Sequence, residues 1–167
     1  RMELRGQVRR GYFVQGLPGA QFALPQAVEA LRVWRDAGDD EVIALSAYDP
    51  ANIFAPGIKD LPLAVTGDPL PLARHLSSCL LLHRGRPCLV AEGTRVTTAE
   101  GTDDGLAARA LRALLAHVAA RRAPGRPGRF RVTHWNGSPV LDGPGRALLQ
   151  STGFHRRARD MEWWGEK

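Results

Sequence analysis

Gly11-Tyr-Phe-Val-Gln-Gly-Leu-Pro-Gly-Ala-Gln-Phe-Ala-Leu-Pro-Gln-Ala-Val-Glu-Ala-Leu-Arg32 sets out a strand, a turn and a helix start in one short run. The strand reads from Gln7 to Gln15, with Arg9 and Arg10 at its centre. Leu17-Pro18-Gly19 is turn chemistry. Pro25 suits the first helical position, where its missing N–H costs nothing. Val28, Leu31 and Arg35 then recur at helical spacing beside Trp34, and Gly38 should stop the helix. Upstream, Arg1–Leu4 reads as a helix end broken at Gly6.

Moving outward, Glu41–Tyr48 runs apolar through Val42, Ile43, Leu45 and Ala47, as a buried strand does. Asp49-Pro50 ends it, because a residue before proline avoids helical geometry. Residues 50–74 read as a long irregular connection holding one short strand at Leu63–Thr66. Ser78–His83 and Pro87–Glu92 form a hairpin around Arg84-Gly85-Arg86, and Arg95–Thr98 adds a third strand. Thr102-Asp103-Asp104 caps a helix reaching about Arg122, with acids at its start and arginines at its end. Its buried face carries Ala107, Leu111, Leu114, Leu115 and Val118. Ala123–Gly128 is a linker.

Arg129–Trp135 alternates as a single strand. Phe130, Val132 and His134 fall on one face, and Arg129, Arg131, Thr133 and Trp135 on the other. Asn136-Gly137 is a hairpin turn. Pro144 opens a short helix, Gly153 ends it, and Phe154–Trp164 is a last strand. The order predicts an α+β fold: an antiparallel sheet or partly closed β-barrel with about three packed helices.

The 167 residues carry a net charge of +6, unevenly spread. Residues 105–167 hold twelve basic and four acidic residues, net +8, and the rest of the chain is net −2. That gradient suits a polyanion-binding surface, and equally a face of solvated arginines. No apolar run approaches the ~20 residues a membrane span needs, so no membrane partner is expected. No signal-peptide pattern is visible, and a start on Arg1 reads as a fragment. Cys79 and Cys88 sit in apolar runs, which favours buried free thiols over a cross-strand disulfide. Metal-ligand spacing is absent, and so are a P-loop, a Rossmann fingerprint and a Gly-x-Ser-x-Gly elbow.

The opening run, followed by Asp49-Pro50-Ala51-Asn52, resembles the C-terminal region of bacterial large helicase-related (Lhr-type) DNA helicases. Gly128-Arg-Phe-Arg-Val-Thr-His-Trp-Asn-Gly-Ser-Pro-Val140, with Gly153-Phe154 beyond, resembles a second stretch of that family. The resemblance implies that residues 1–15 are the end of a winged-helix module with its wing strand. It makes 16–167 a β-barrel-like C-terminal domain. It implies an accessory nucleic-acid-binding or assembly module of a 3′-to-5′ DNA helicase involved in DNA repair. ATP and Mg2+ would belong to the upstream helicase core, with no cofactor in this segment. Expected partners are DNA or an RNA–DNA hybrid, the upstream winged-helix and helicase domains, and a second copy of the chain. The expected location is the cytoplasm, at the nucleoid. A similar winged-helix plus barrel arrangement occurs in crosslink-unhooking glycosylases, but their Gln-x-Gln/Asp motif is missing here.

Two alternatives stand beside the accessory module: part of a DNA glycosylase site for uracil or a lesion base, and a scaffold or oligomerisation domain. Candidate catalytic residues are Asp49 and Asp160. Asp49 and Asn52 also suit Asx-turns at a strand end. Asp160, amid Arg156, Arg157 and Arg159, suits a salt bridge or a base for attack on a flipped nucleotide. Gln21 suits a loop-closing hydrogen bond better than catalysis. Candidate nucleic-acid contacts are Arg9 and Arg10 on the wing, then Arg129, Arg131 and Trp135 as a phosphate and stacking platform; equally, that face is a solvated one with Trp135 packed under a neighbouring element. Arg156 and Arg157, with Trp163 and Trp164 beyond, repeat that chemistry.

Overall fold

The computed structural model describes residues 2–13, 19–36, 40–50, 52, 54, 75, 77–122 and 127–165. Its contacts group the chain into two compact units, divided along the chain between Asp40 and Glu41. That division lies further along than the boundary at residue 15 expected from the sequence.

In the first unit, β1 (Arg9–Gly11) pairs antiparallel with β2 (Gln21–Ala23). Oε1 of Gln21 accepts a hydrogen bond from the Phe13 N–H at 2.7 Å. The amide therefore holds the strand end closed, as its position before the helix predicts. Helix α1 (Pro25–Asp36) opens on Pro25. Of its expected apolar stripe only Val28 is buried, whereas Leu31 and Trp34 are 50% and 64% exposed.

The second unit contains nine strands and two helices among the described residues. One sheet runs β3 (Val42–Ser46), β4 (Ser78–His83), β5 (Arg86–Glu92), β6 (Arg95–Thr98), β8 (His134–Trp135) and β9 (Ser138–Pro139) in spatial order. The β4–β5 turn has positive φ at Arg84 and Gly85, and the β8–β9 turn at Asn136 and Gly137. Both are the left-handed pairs that match strand twist across a two-residue loop. Neighbours are antiparallel except β6 and β8. That parallel pair exists because α2 (Asp104–Ala120) and β7 (Arg129–Val132) intervene as a crossover. A second sheet has the order β10 (His155–Arg156), β11 (Met161–Trp164), β7. Among the described residues neither sheet closes into a barrel, so the α+β fold is an open one.

Helix α2 starts where Asp103 accepts a hydrogen bond from the Leu106 N–H at 2.7 Å. Such a cap contributes about 1 kcal/mol. Packing contributes more, since each fully buried leucine is worth about 1.5–3 kcal/mol. Leu111 and Leu114 of α2 are fully buried against Leu81, Leu89, Val132 and Met161 from the sheets. Helix α3 (Gly145–Ser151) adds Leu149, and Phe154 meets Phe130 edge-on. No described helix is long and apolar enough to cross a membrane.

Two strand expectations change. Arg129–Trp135 is not one strand: at Thr133 the chain leaves the second sheet for the first. The Thr133 N–H donates to the Thr94 carbonyl at 2.8 Å, and the two hydroxyls also meet. Phe154–Trp164 is not one strand either, because the Arg157 N–H donates to the Asp160 carbonyl and folds it into a β10–β11 hairpin. The expected strand at Leu63–Thr66 and most of the 123–128 linker lie outside the described residues.

Both cysteines are buried free thiols, with no disulfide between them. Burial pushes the Cys79 thiol up to about 12 despite nearby Arg121, and the Cys88 thiol up to about 11.

Candidate nucleic-acid interface

The second sheet places the basic residues by register alone. Trp164 pairs with Arg129, Trp163 with Phe130, Glu162 with Arg131 and Met161 with Val132. Side chains alternate across a strand. Met161, Trp163, Phe130 and Val132 therefore face the core, and Arg129, Arg131, Glu162 and Trp164 face outward. The 157–160 turn brings Arg157, Arg159 and Asp160 to the same side, where they line a shallow open cleft of about 330 Å³ with Arg129, Arg131 and Glu162.

Glu162 is the pivot of this face. It is only 1% exposed, although its strand position is the outward one. Two guanidinium groups close on it. Its Oε1 accepts from Nε of Arg129, and its Oε2 accepts from Nε of Arg157 at 2.7 Å. Burial pushes the carboxyl up, but hydrogen bonds and charge from Arg157 and Arg129 outweigh it and hold it below the ordinary value. The arginines themselves remain more than half exposed. Arg129 also lies over the Trp164 ring, 4.9 Å from its centroid. That is a cation–π distance.

Asp160 is held less completely. Its Oδ2 lies 3.8 Å from Nε of Arg131, too far for a hydrogen bond. Its Oδ1 is buried with no partner among the described residues.

The expected site residues thus divide. Arg129, Arg131, Arg157 and Asp160 come together. Arg156 is exposed but pairs with Met161, so it belongs to the opposite face. Trp135 is a correction: it is 6% exposed, sits in the other sheet, and packs against Gly145. It shares no face with Arg129 and Arg131, because the step at Thr133 breaks the alternation. Trp164, 45% exposed, is the aromatic ring this face offers. Arg9 and Arg10 are exposed on β1, and Nη1 of Arg9 pairs with Glu29 at 3.2 Å.

Asp49 lies elsewhere in the second unit. Its backbone closes turns with Ser46 and Asn52, at 3.0 and 2.9 Å. Buried Asn52 accepts from the Phe54 N–H at 3.0 Å, the Asx-turn that its residue type favours. Asp49 also acts on His117, beside a cavity of about 170 Å³ lined by Ser46, Ser78, His117 and Arg121. Burial and Arg121 lower the His117 pKa, and Asp49 opposes them.

Glu162 was missed from sequence. Its signal was the alternation Met161-Glu162-Trp163, legible only once β11 is known to lie beside β7. Among the described residues no group of three metal-ligating side chains occurs.

The first unit is a basic two-stranded hairpin followed by a helix. Residues 1–43 match the family model of the large helicase-related protein winged-helix domain. The chain is 30% identical, over 97% of its length, to an Escherichia coli (strain K12) protein named "Lhr helicase/uracil glycosylase". It is 33% identical, over 82% of its length, to a Mycolicibacterium smegmatis protein named "Lhr helicase/ probable uracil glycosylase". The matched region is 10% and 9% of those proteins, so the chain spans about a tenth of their length. The chain belongs to the large helicase-related family, as a domain from the C-terminal region of an Lhr-type helicase.

Proposed function

We propose that the chain is an accessory nucleic-acid-binding module of an Lhr-type 3′-to-5′ DNA helicase that serves DNA repair in the cytoplasm. The observation that carries this reading is the outward face of β7 and β11. Arg129, Arg131, Arg157 and Arg159 line one cleft there, beside exposed Trp164. Guanidinium groups bind phosphates, and an aromatic ring stacks a base without regard to sequence. ATP hydrolysis, with its Mg2+, belongs to the helicase domains that such a module serves. DNA, an RNA–DNA hybrid and those domains are its partners.

Fluorescence anisotropy with labelled single- and double-stranded DNA across a salt series tests this. Affinity should fall steeply with salt, with a slope near −0.7 per neutralised phosphate on a single strand. Binding that is absent at low salt, together with self-association in light scattering, would favour the scaffold and oligomerisation reading.

A second reading has its own observation. Asp160 lines this cleft, its buried Oδ1 has no partner among the described residues, and both relatives bear glycosylase in their names. Asp160 would then assist water attack on a flipped uracil nucleotide. Base release from uracil-containing DNA should be lost in Asp160→Asn and kept in Asp49→Asn. Equal loss in both, or no release from the parent chain joined to its upstream domains, would end this reading.

A further inference from the structure

We infer that Glu162 makes the arginine cleft a preorganised clamp for a single phosphate group, gripped by the terminal nitrogens of Arg129 and Arg157. This rests on the nucleic-acid reading above and names the group that the cleft takes.

A guanidinium offers two hydrogen-bonding edges. One includes Nε, and the other is the pair of terminal Nη groups. Glu162 takes both arginines by Nε. Among the described residues both arginines make their carboxylate hydrogen bonds through Nε. Each side chain is therefore anchored along one edge with its other edge open to a ligand. Phosphate suits that open edge, because two parallel N–H groups match two phosphate oxygens.

Anchoring also lowers the cost of binding. A solvated arginine must give up rotamer freedom when it grips a ligand. Arg129 is already fixed twice, by Glu162 and by the Trp164 ring, although its side chain is 55% exposed. Arg157 is fixed by Glu162 and by its place in the 157–160 turn. One carboxylate with an oxygen on each arginine sets the distance between the two forks. Glu162 thus acts through its neighbours as a positioning residue.

The clamp and simple charge counting disagree in sign. Glu162→Gln removes a negative charge from a basic face, so charge counting expects tighter DNA binding. The clamp expects weaker binding, because both forks lose their anchor.

The test uses the full chain and a short single-stranded oligothymidylate at one fixed salt concentration. Glu162→Gln should weaken binding about tenfold, on the scale of a lost charged hydrogen bond. Arg129→Lys keeps the charge and loses the fork, and it should weaken binding by a similar factor. It also carries the test if Glu162→Gln does not fold. Arg156→Lys, on the other face, should change affinity less than twofold, on the scale of a surface charge swap. The oligomer is offered with a 5′ hydroxyl and with a 5′ phosphate. Tighter binding of the second makes the ligand a terminal phosphate, and equal binding makes it an internal phosphodiester. Inorganic phosphate should shift the Nε–Hε NMR signals of Arg129 and Arg157 saturably.

Affinity for DNA that is unchanged or raised in Glu162→Gln and Arg129→Lys overturns the clamp, and leaves the nucleic-acid reading standing. A parent chain that shifts both signals with phosphate but binds no oligonucleotide overturns that reading instead. Silent Nε–Hε signals overturn the clamp in either case.

Discussion

Trp135 lies so close over the Cα of Gly145 that a β-carbon there would overlap the indole ring. The contact joins β8 to the start of α3. It accounts for a tryptophan that is buried at the point where the chain has just crossed between sheets.

Gly145→Ala should therefore destabilise the second unit by about 1–3 kcal/mol, the usual cost of overpacking. Urea unfolding followed by Trp fluorescence would measure it. In Trp135→Phe the same change should cost less, because contacting residues couple. Equal costs in both backgrounds would mean that the indole is not what excludes the methyl.

Asn52→Ala should cost about 0.5–1.5 kcal/mol, because it removes the buried amide that accepts from the half-buried Phe54 N–H. Its affinity for DNA should stay at the parent value. A stable variant with altered DNA binding would instead give Asn52 a part in the interface.

These two sites show what the residues disclose unaided. Asn52 sits at a strand end after Asp49-Pro50, and its turn is local, so its role was readable from residue type. The Ser78–Glu92 hairpin was equally plain, because two apolar runs flank a Gly turn. Trp135 was readable only as one of two options, packed or stacking. Alternation predicts a face only while one strand continues, and the step at Thr133 depends on Thr94, distant in sequence. The Arg157–Asp160 turn was hidden for a different reason: it contains no Gly, Pro or Asn to announce it. Once that hairpin forms, Glu162 falls under two arginines, Arg129 from β7 and Arg157 from the turn. Charge patterning along one segment carries no trace of such a meeting.

The thiols should stay silent in the folded chain. Cys79 and Cys88 are 6% and 3% exposed, and their pKa values are raised to about 12 and about 11. Few thiolates exist at neutral pH, and few could be reached. Ellman's reagent should titrate neither residue until urea unfolds the second unit, and then both. Rapid labelling of either without denaturant would contradict the burial.

Acid should loosen the outward face before neutral pH changes it. The folded Glu162 carboxyl titrates below its ordinary value of 4.5, so its contribution is present above that pH. The contribution disappears as pH falls from there through the lowered folded value, because the unfolded chain then binds the proton more readily. Unfolding free energy measured from pH 6 downward should fall more steeply in the parent than in Glu162→Gln. Identical slopes would mean that the two arginines do not hold the carboxylate charged.

Glu162, sealed beneath Arg129 and Arg157, gives this surface a built-in counterion. Clustered guanidinium groups would otherwise repel one another or condense anions from solution whenever no ligand is present. Here the face neutralises part of its own charge and holds its shape through its own ion pairs. Binding and releasing the proposed phosphate would then demand little rearrangement.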